Sequence, residues 1–304
     1  MLISEQSVAA VRRPATGLWS LVLAGVLWGT GGPTGSLLAH ETGLSPLAVA
    51  AYRLAVGGTL AIGWLCSARK PLPRHQAAWT RMAVTGLLAA LFQACFFGAV
   101  SLTNVSLATL LTIGAAPALV LAAERVAGRR RASASTLAAV ALAVSGLVLL
   151  VGTPAGGIST TAALTGGGLA LLSAAGFAAM TLIGTRPVAG LDDFTATGVS
   201  FALGGAVLAV ASTVTSGLEF VPTARSVGLL LLLGTVPTAM AYALYFRGLR
   251  TNPAGTAALV ALLEPLVATI LATVFLGDRL SPTGLVGAGL ITVAIVLNAR
   301  GARR

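Results

Sequence analysis

Ten stretches of about 20 apolar residues follow one another along this chain with only short polar joints between them: 17–38, 45–65, 82–102, 104–124, 136–152, 161–185, 194–216, 226–246, 254–276 and 283–299. At 1.5 Å per residue, a helix of that length crosses the ~30 Å hydrocarbon core of a bilayer. Backbone groups in lipid have no solvent to bond, so a spanning segment is either a helix or a strand of a closed barrel. Barrel strands are about ten residues long and alternate in polarity, whereas these runs are twice as long and do not alternate. Only 9% of the 304 residues are charged and the mean hydropathy is +0.94, against about 25% charged in a soluble domain. The expected fold is therefore all-α, an integral membrane protein of ten transmembrane helices. The first run is too long for a signal-peptide core and lacks a convincing cleavage site, so it is expected to be retained.

The net charge of +11 would suggest nucleic acid if the charges were not so unevenly placed. With the N-terminus inside, one side collects Arg12, Arg13, Arg69, Lys70, Arg74, Arg81, Arg125, Arg129, Arg130, Arg131, Arg186, Arg247, Arg250, Arg300, Arg303 and Arg304. The other side receives Arg225 and Arg279. This is the positive-inside pattern. It predicts a multi-pass protein with both termini cytoplasmic, membrane lipids as partners of the basic loops, and no nucleic-acid partner. Cys66 and Cys95 lie in or beside different runs without metal-ligand spacing, and neither a metal nor a cofactor is expected.

The chain also repeats itself at a shift of about 148 residues. Thr103-Asn104 falls on Thr251-Asn252, Pro117 on Pro265, Arg131 and Ser133 on Arg279 and Ser281, and AVGG (55–58) on ALGG (202–205). The chain is expected to divide into a tail (1–16), a first five-helix repeat (17–152), a linker (153–160), a second repeat (161–299) and a basic end (300–304). An odd number of helices per repeat starts the second on the opposite side of the membrane, so the repeats are inverted. That architecture recurs in secondary transporters, with a site near the midplane. Ser45-Pro46, Asn252-Pro253 and Ser281-Pro282 each read as a capping residue before a first-turn proline. Small residues such as Gly284, Gly287, Ala288 and Gly289 allow close helix approach. Ten helices need many such contacts within one chain, which favours a monomer.

Several segments carry a family likeness. They are VLWGTGGPTG (26–35), SPLAVAAYRLAVGG (45–58), VSLATLLTIGAAPALVLAAERVAG (105–128) and GTAALVALLEPLVATILATVFLGDRLSPTGLVGAGLI (255–291). With Leu263-Glu264-Pro265, Leu276-Gly277-Asp278 and the glycine-rich last helix, the chain resembles the drug/metabolite transporter superfamily, with two EamA-like domains. The resemblance implies ten helices and a central cavity lined by helices one to four and six to nine, with five and ten peripheral. It also implies a secondary transporter of the inner (cytoplasmic) membrane, most concretely an exporter of amino acids or similar small metabolites. Export of toxic compounds or another metabolite class is the alternative. The sequence departs from its own symmetry at one point: Ala116-Pro117 stands where the second repeat has Glu264-Pro265.

Glu264 lies at mid-run and Arg53 nine residues into the second run. A charge at such depth costs at least about 2.5–3.5 kcal/mol, so each is expected to have a partner or a wet cavity. Glu264 has three readings: a donor to the carbonyl of Ala261 that Pro265 leaves free, an ion-pair partner of Arg53, or a cavity carboxylate that meets a substrate ammonium or takes up a proton. Arg53 can bind a substrate carboxylate, pair with Glu264, or snorkel. Pro117 and Pro265 are the candidate bend or hinge positions. Trp28, Thr30, Tyr52, Gln93, Phe96, Phe97, Phe177, Thr181, Tyr242 and Tyr245 complete the candidate substrate cavity, since aromatic walls with a few polar groups suit a small amphipathic ligand. Gln93 carries most information, because an unpaired buried amide is costly. Trp64 and Trp79 read as interface anchors.

No P-loop is present, which argues against an ATP-driven pump. A membrane enzyme would need convergent catalytic side chains, whereas His40 and His75 lie on opposite sides. A sensor or assembly subunit would need an output domain, and the loops are too short to form one.

Overall fold

The structure, a computed structural model, describes residues 14–128, 133–151, 159–276 and 281–301. Most of the expected linker 153–160, the tail before residue 14, Arg131, Asp278, Arg279 and the last three residues lie outside that set. The described chain forms helices α1 (Pro14–Gly29), α2 (Gly31–Thr42), α3 (Pro46–Ser67), α4 (Gln76–Leu102), α5 (Val105–Val126), α6 (Ala134–Val151), α7 (Thr160–Gly184), α8 (Asp193–Thr215), α9 (Ala224–Gly234), α10 (Ala241–Leu249), α11 (Ala254–Val260), α12 (Leu263–Leu271) and α13 (Pro282–Gly301). Two π-helical turns, Thr235–Met240 and Ala272–Leu276, follow α9 and α12. Strands are absent among the described residues.

These pieces assemble into ten spans. The first joins α1 and α2, the eighth joins α9 and α10, and the ninth joins α11 and α12, while each remaining helix is a span by itself. Nine spans are long and apolar enough to cross a membrane among the described residues, and the tenth is apolar over Pro282–Asn298. The protein is thus a multi-pass, all-α membrane protein.

Local chemistry explains the helix starts. Ser45 accepts from the N–H of Ala48 at 3.1 Å, Asn104 from Leu107 at 2.8 Å and Ser281 from Gly284 at 3.0 Å. Asn252 does not follow this expectation: its amide donates to the carbonyl of Gly248 at 2.9 Å and closes the eighth span, leaving Pro253 to open α11 without a side-chain cap.

Asp192 caps α8, accepting from the backbone of Phe194 and Thr195 at 3.0 Å and from the Thr195 hydroxyl. Partial burial works against its ionisation, but these hydrogen bonds, with the Lys70 ammonium, hold its carboxyl below the usual range. A depressed pKa contributes stability that is present above about pH 4 and is lost as pH falls through the folded-state value. Asp192→Ala is expected to cost about 1 kcal/mol, read as a lowered Tm at pH 7, with the gap from the parent narrowing below pH 4.

The packing obeys a two-fold relation between the repeats. The second span lies against the seventh and the fifth against the tenth, each pair being symmetry mates. The first span packs on the eighth and ninth, and the sixth correspondingly on the third and fourth. The packed groups are therefore mixed: spans one, eight and nine form one bundle, and three, four and six form the other. Neither group is a sequence repeat, because inverted halves interlock by exchanging their first helices.

The matched motifs AVGG and ALGG meet at the centre of this arrangement. A Cβ on Gly58 would overlap the backbone of Ala202, and one on Gly205 would overlap the backbone of Ala55. The two contacts are images of each other, so the repeat read in the sequence is also an interface. Gly146 and Gly287 make a similar backbone contact between the fifth and tenth spans.

Candidate functional site

Between the two mixed bundles lies a cavity of about 920 Å³. Its wall takes Gly32, Pro33, Ser36 and Ala39 from the first span, Pro46, Val49 and Arg53 from the second, and Phe92, Gln93, Phe96, Phe97 and Val100 from the third. The fourth span gives Val105 to Ala116, and the ninth gives Ala258 to Thr273. In nearly every span these are the residues nearest the face opposite the arginine-rich loops, so the cavity opens to that face. Toward the basic face it is floored by rings: Trp28 lies 4.8 Å from Tyr242 and 5.9 Å from Phe177, and Phe92 lies 5.7 Å from Phe177.

Of the expected cavity residues, Trp28, Arg53, Gln93, Phe96, Phe97, Phe177, Tyr242 and Glu264 line the wall. Four others are placed elsewhere. Tyr245 stands behind Trp28 at 4.9 Å and shares a 2.8 Å hydrogen bond with Thr181, both fully buried. Tyr52 donates to the carbonyl of Leu218 at 2.8 Å and packs on Phe220. Thr30 donates to the carbonyl of Leu27 at 2.7 Å, at the joint of the first span. Leu150, Val151, Ser281 and Gly284 bring the fifth and tenth spans to the rim. The seventh span contributes no wall among the described residues, because its small-residue face is spent on the second span and Phe201 packs on Tyr242 at 4.6 Å. Both points depart from the expected lining.

Three backbone irregularities surround the wall. In the first span, Pro33 within Gly29–Gly35 removes the donor for the carbonyl of Gly29, and the helix breaks at Thr30. In the ninth, the helix is interrupted at Ala261 and Leu262. The carbonyl of Ala261, which Pro265 cannot bond, accepts instead from the N–H of Glu264 at 3.0 Å. The Glu264 side chain is therefore not needed for that carbonyl. The fourth span runs as one helix through Pro117, so the two prolines occupy matching positions with different backbone outcomes.

The third irregularity involves residues that the sequence reading passed over. Pro237 cannot bond the carbonyl of Leu233, and the hydroxyl of Thr238 donates to it at 2.7 Å within a π turn. That hydroxyl in turn accepts from Nε of Arg53 at 3.2 Å. The Pro237-Thr238 pair inside an apolar run was the available signal, since a proline in a helix calls for a substitute donor and threonine carries one.

Arg53 and Glu264 are the charged residues of the wall, and among the described residues no ion pair within 4.0 Å joins them. Glu264 makes no side-chain hydrogen bond with a described residue, and neither does the amide of Gln93, although that residue is only 3% exposed. Nε1 of Trp28 is buried without a partner among the described residues. Ser106, Thr109 and Thr273 add hydroxyls to the wall. The site thus offers a fixed cation, a separate carboxylate and an uncommitted amide within an aromatic and apolar enclosure.

A ten-span protein built as two interlocked inverted repeats around such a cavity has the architecture of a small-molecule transporter. The chain belongs to the EamA-like transporter family, whose sequence profile matches residues 15–152 and 164–300. It is 30% identical over 279 residues to the uncharacterized transporter YwfM of Bacillus subtilis (strain 168), covering 91% of each chain. It is 32% identical over 152 residues to the protein PecM of Dickeya dadantii (strain 3937), covering half of each. A crystal structure of a protein with 20% identity superposes with a TM-score of 0.79 over 95% of this chain and 98% of that one. That last likeness concerns the fold alone.

Proposed function

We propose that this transporter exports amino acids or similarly small zwitterionic metabolites across the inner membrane. The observation that carries the reading is the pair Arg53 and Glu264, two opposite charges on one cavity wall that no contact within 4.0 Å joins. A guanidinium suits a carboxylate, and a carboxylate suits an ammonium. The Gln93 amide adds hydrogen bonding, and the rings of Phe96 and Phe97, 5.1 Å apart, suit an apolar side chain.

By the positive-inside rule the basic face is cytoplasmic, as are both termini. The cavity then faces outward and the ring floor closes the cytoplasmic side. Transport follows by rocking the bundle of spans one, eight and nine against that of three, four and six, with the site near the midplane. The chain's role is carriage across the membrane rather than catalysis.

Flux into and out of proteoliposomes tests this with three probes: an amino acid, the amine lacking its carboxylate, and the acid lacking its ammonium. Each lost charge-assisted contact is worth ~1.5–3 kcal/mol, so the amino acid is expected to move at least about tenfold faster than either relative. Equal flux of all three would point to an exporter of apolar or toxic compounds. No flux of any amino acid from a folded protein would overturn the reading.

A further inference from the structure

On the basic face, outside the cavity, the ends of the third, sixth, seventh and eighth spans enclose a small cleft lined by Arg81, Arg186, Asp193, Phe246 and Arg250. Arg250 donates from Nε at 2.9 Å and from Nη2 at 2.5 Å to the same oxygen of Asp193, and both side chains are largely buried, 16% and 14% exposed. Asp193 is the only carboxylate on the cleft wall among the described residues. Its neighbour Asp192 is committed to the α8 cap, with both oxygens hydrogen-bonded.

Arg81 is half-buried and makes no hydrogen bond and no ion pair within 4.0 Å with a described residue. Exposed Arg186 stands at the rim in the same condition. Three guanidiniums therefore face one carboxylate that Arg250 already occupies. A partly desolvated cation beside two like charges is unfavourable without a further anion. The planar donors of clustered arginines fit phosphate oxygens best. The cleft also lies at the membrane boundary on the face where anionic lipid headgroups collect.

We propose that the mouth of this cleft, whose interior of about 10 Å³ holds no more than a water, is an anion site for a phosphate group, reached by Arg81 from within and flanked by Arg186 and Arg250. The phosphate is carried by a lipid headgroup or by a free phosphate. Arg81 comes from the bundle of spans three, four and six, and Arg250 from that of one, eight and nine. A bound phosphate spans the two and holds the basic face closed.

The test is thermal unfolding of the full-length protein in neutral detergent, with added phosphatidylglycerol, with inorganic phosphate, and with phosphatidylcholine or chloride at matched ionic strength as references. Occupancy is expected to raise Tm by about 4 °C. The rise is expected to vanish in Arg81→Gln and to shrink in Arg186→Gln, a rim variant that leaves the packed interior untouched. It should persist in Arg74→Gln, which changes a loop charge outside the cleft. A rise with phosphatidylglycerol alone assigns the site to a headgroup, and a rise with inorganic phosphate assigns it to the free ion. No rise with either, or an undiminished rise in both Arg81→Gln and Arg186→Gln, overturns the proposal.

Discussion

Glu264→Gln is expected to lower amino-acid flux in proteoliposomes by at least about tenfold, the loss of one charge-assisted contact, while the yield of folded protein stays near that of the parent. The geometry separates these two readouts. The carbonyl that Pro265 strands is already bonded by the backbone N–H of Glu264, and that bond is indifferent to the side chain. No ion pair holds Glu264 to Arg53, whose Nε is engaged by Thr238. Glutamine keeps the shape and removes the charge, so packing has little to lose. Arg53→Ala is expected to impair flux independently, and adding Glu264→Ala should not restore it. Parallel loss of expression and flux in Glu264→Gln would return the residue to a structural role, and rescue in the double variant would re-establish the ion pair.

The opposite split is expected for Gly58→Leu, which should abolish folded yield altogether. Overpacking typically costs about 1–3 kcal/mol when side chains can shift. Here the added Cβ meets the backbone of Ala202, so a whole helix would have to move. Gly205→Leu should fail in the same way through its image contact with Ala55. Gly63 lies on the same helix with open space where its Cβ would be, and Gly63→Leu is expected to leave yield and Tm near those of the parent. Size-exclusion profiles in detergent distinguish these outcomes, and a folded, monodisperse Gly58→Leu would refute the close contact.

The spans were legible in the sequence because lipid admits only helices and closed barrels, and apolar runs of about 20 residues without alternation select the helix; the observed spans end within six residues of their apolar runs. The two-fold was legible too, since AVGG and ALGG are similar for a structural reason: they touch. Orientation about each helix axis was not legible. In water an apolar stripe marks the buried face, but in lipid both faces are apolar. Leu164 is 74% exposed and Leu65 is 2% exposed, and nothing in their local sequence separates them. The same blindness put Tyr245 and Thr181 on the wall when they form a layer behind it. The charged and amide side chains escaped the ambiguity, and Arg53, Gln93 and Glu264 reached the cavity, whereas the hydroxyls did not: Tyr52 and Thr30 turned toward carbonyls and Thr181 toward Tyr245.

The broken helices all fall in one bundle. Spans one, eight and nine carry the joint at Thr30, the π turn at Pro237 and the interruption at Ala261, whereas their counterparts six, three and four are continuous. A duplicated chain begins with two entrances that are copies of each other and so has no built-in preference for either. Placing every break in one bundle makes the two bundles unequal, so the two faces of this pseudo-symmetric protein are not interchangeable.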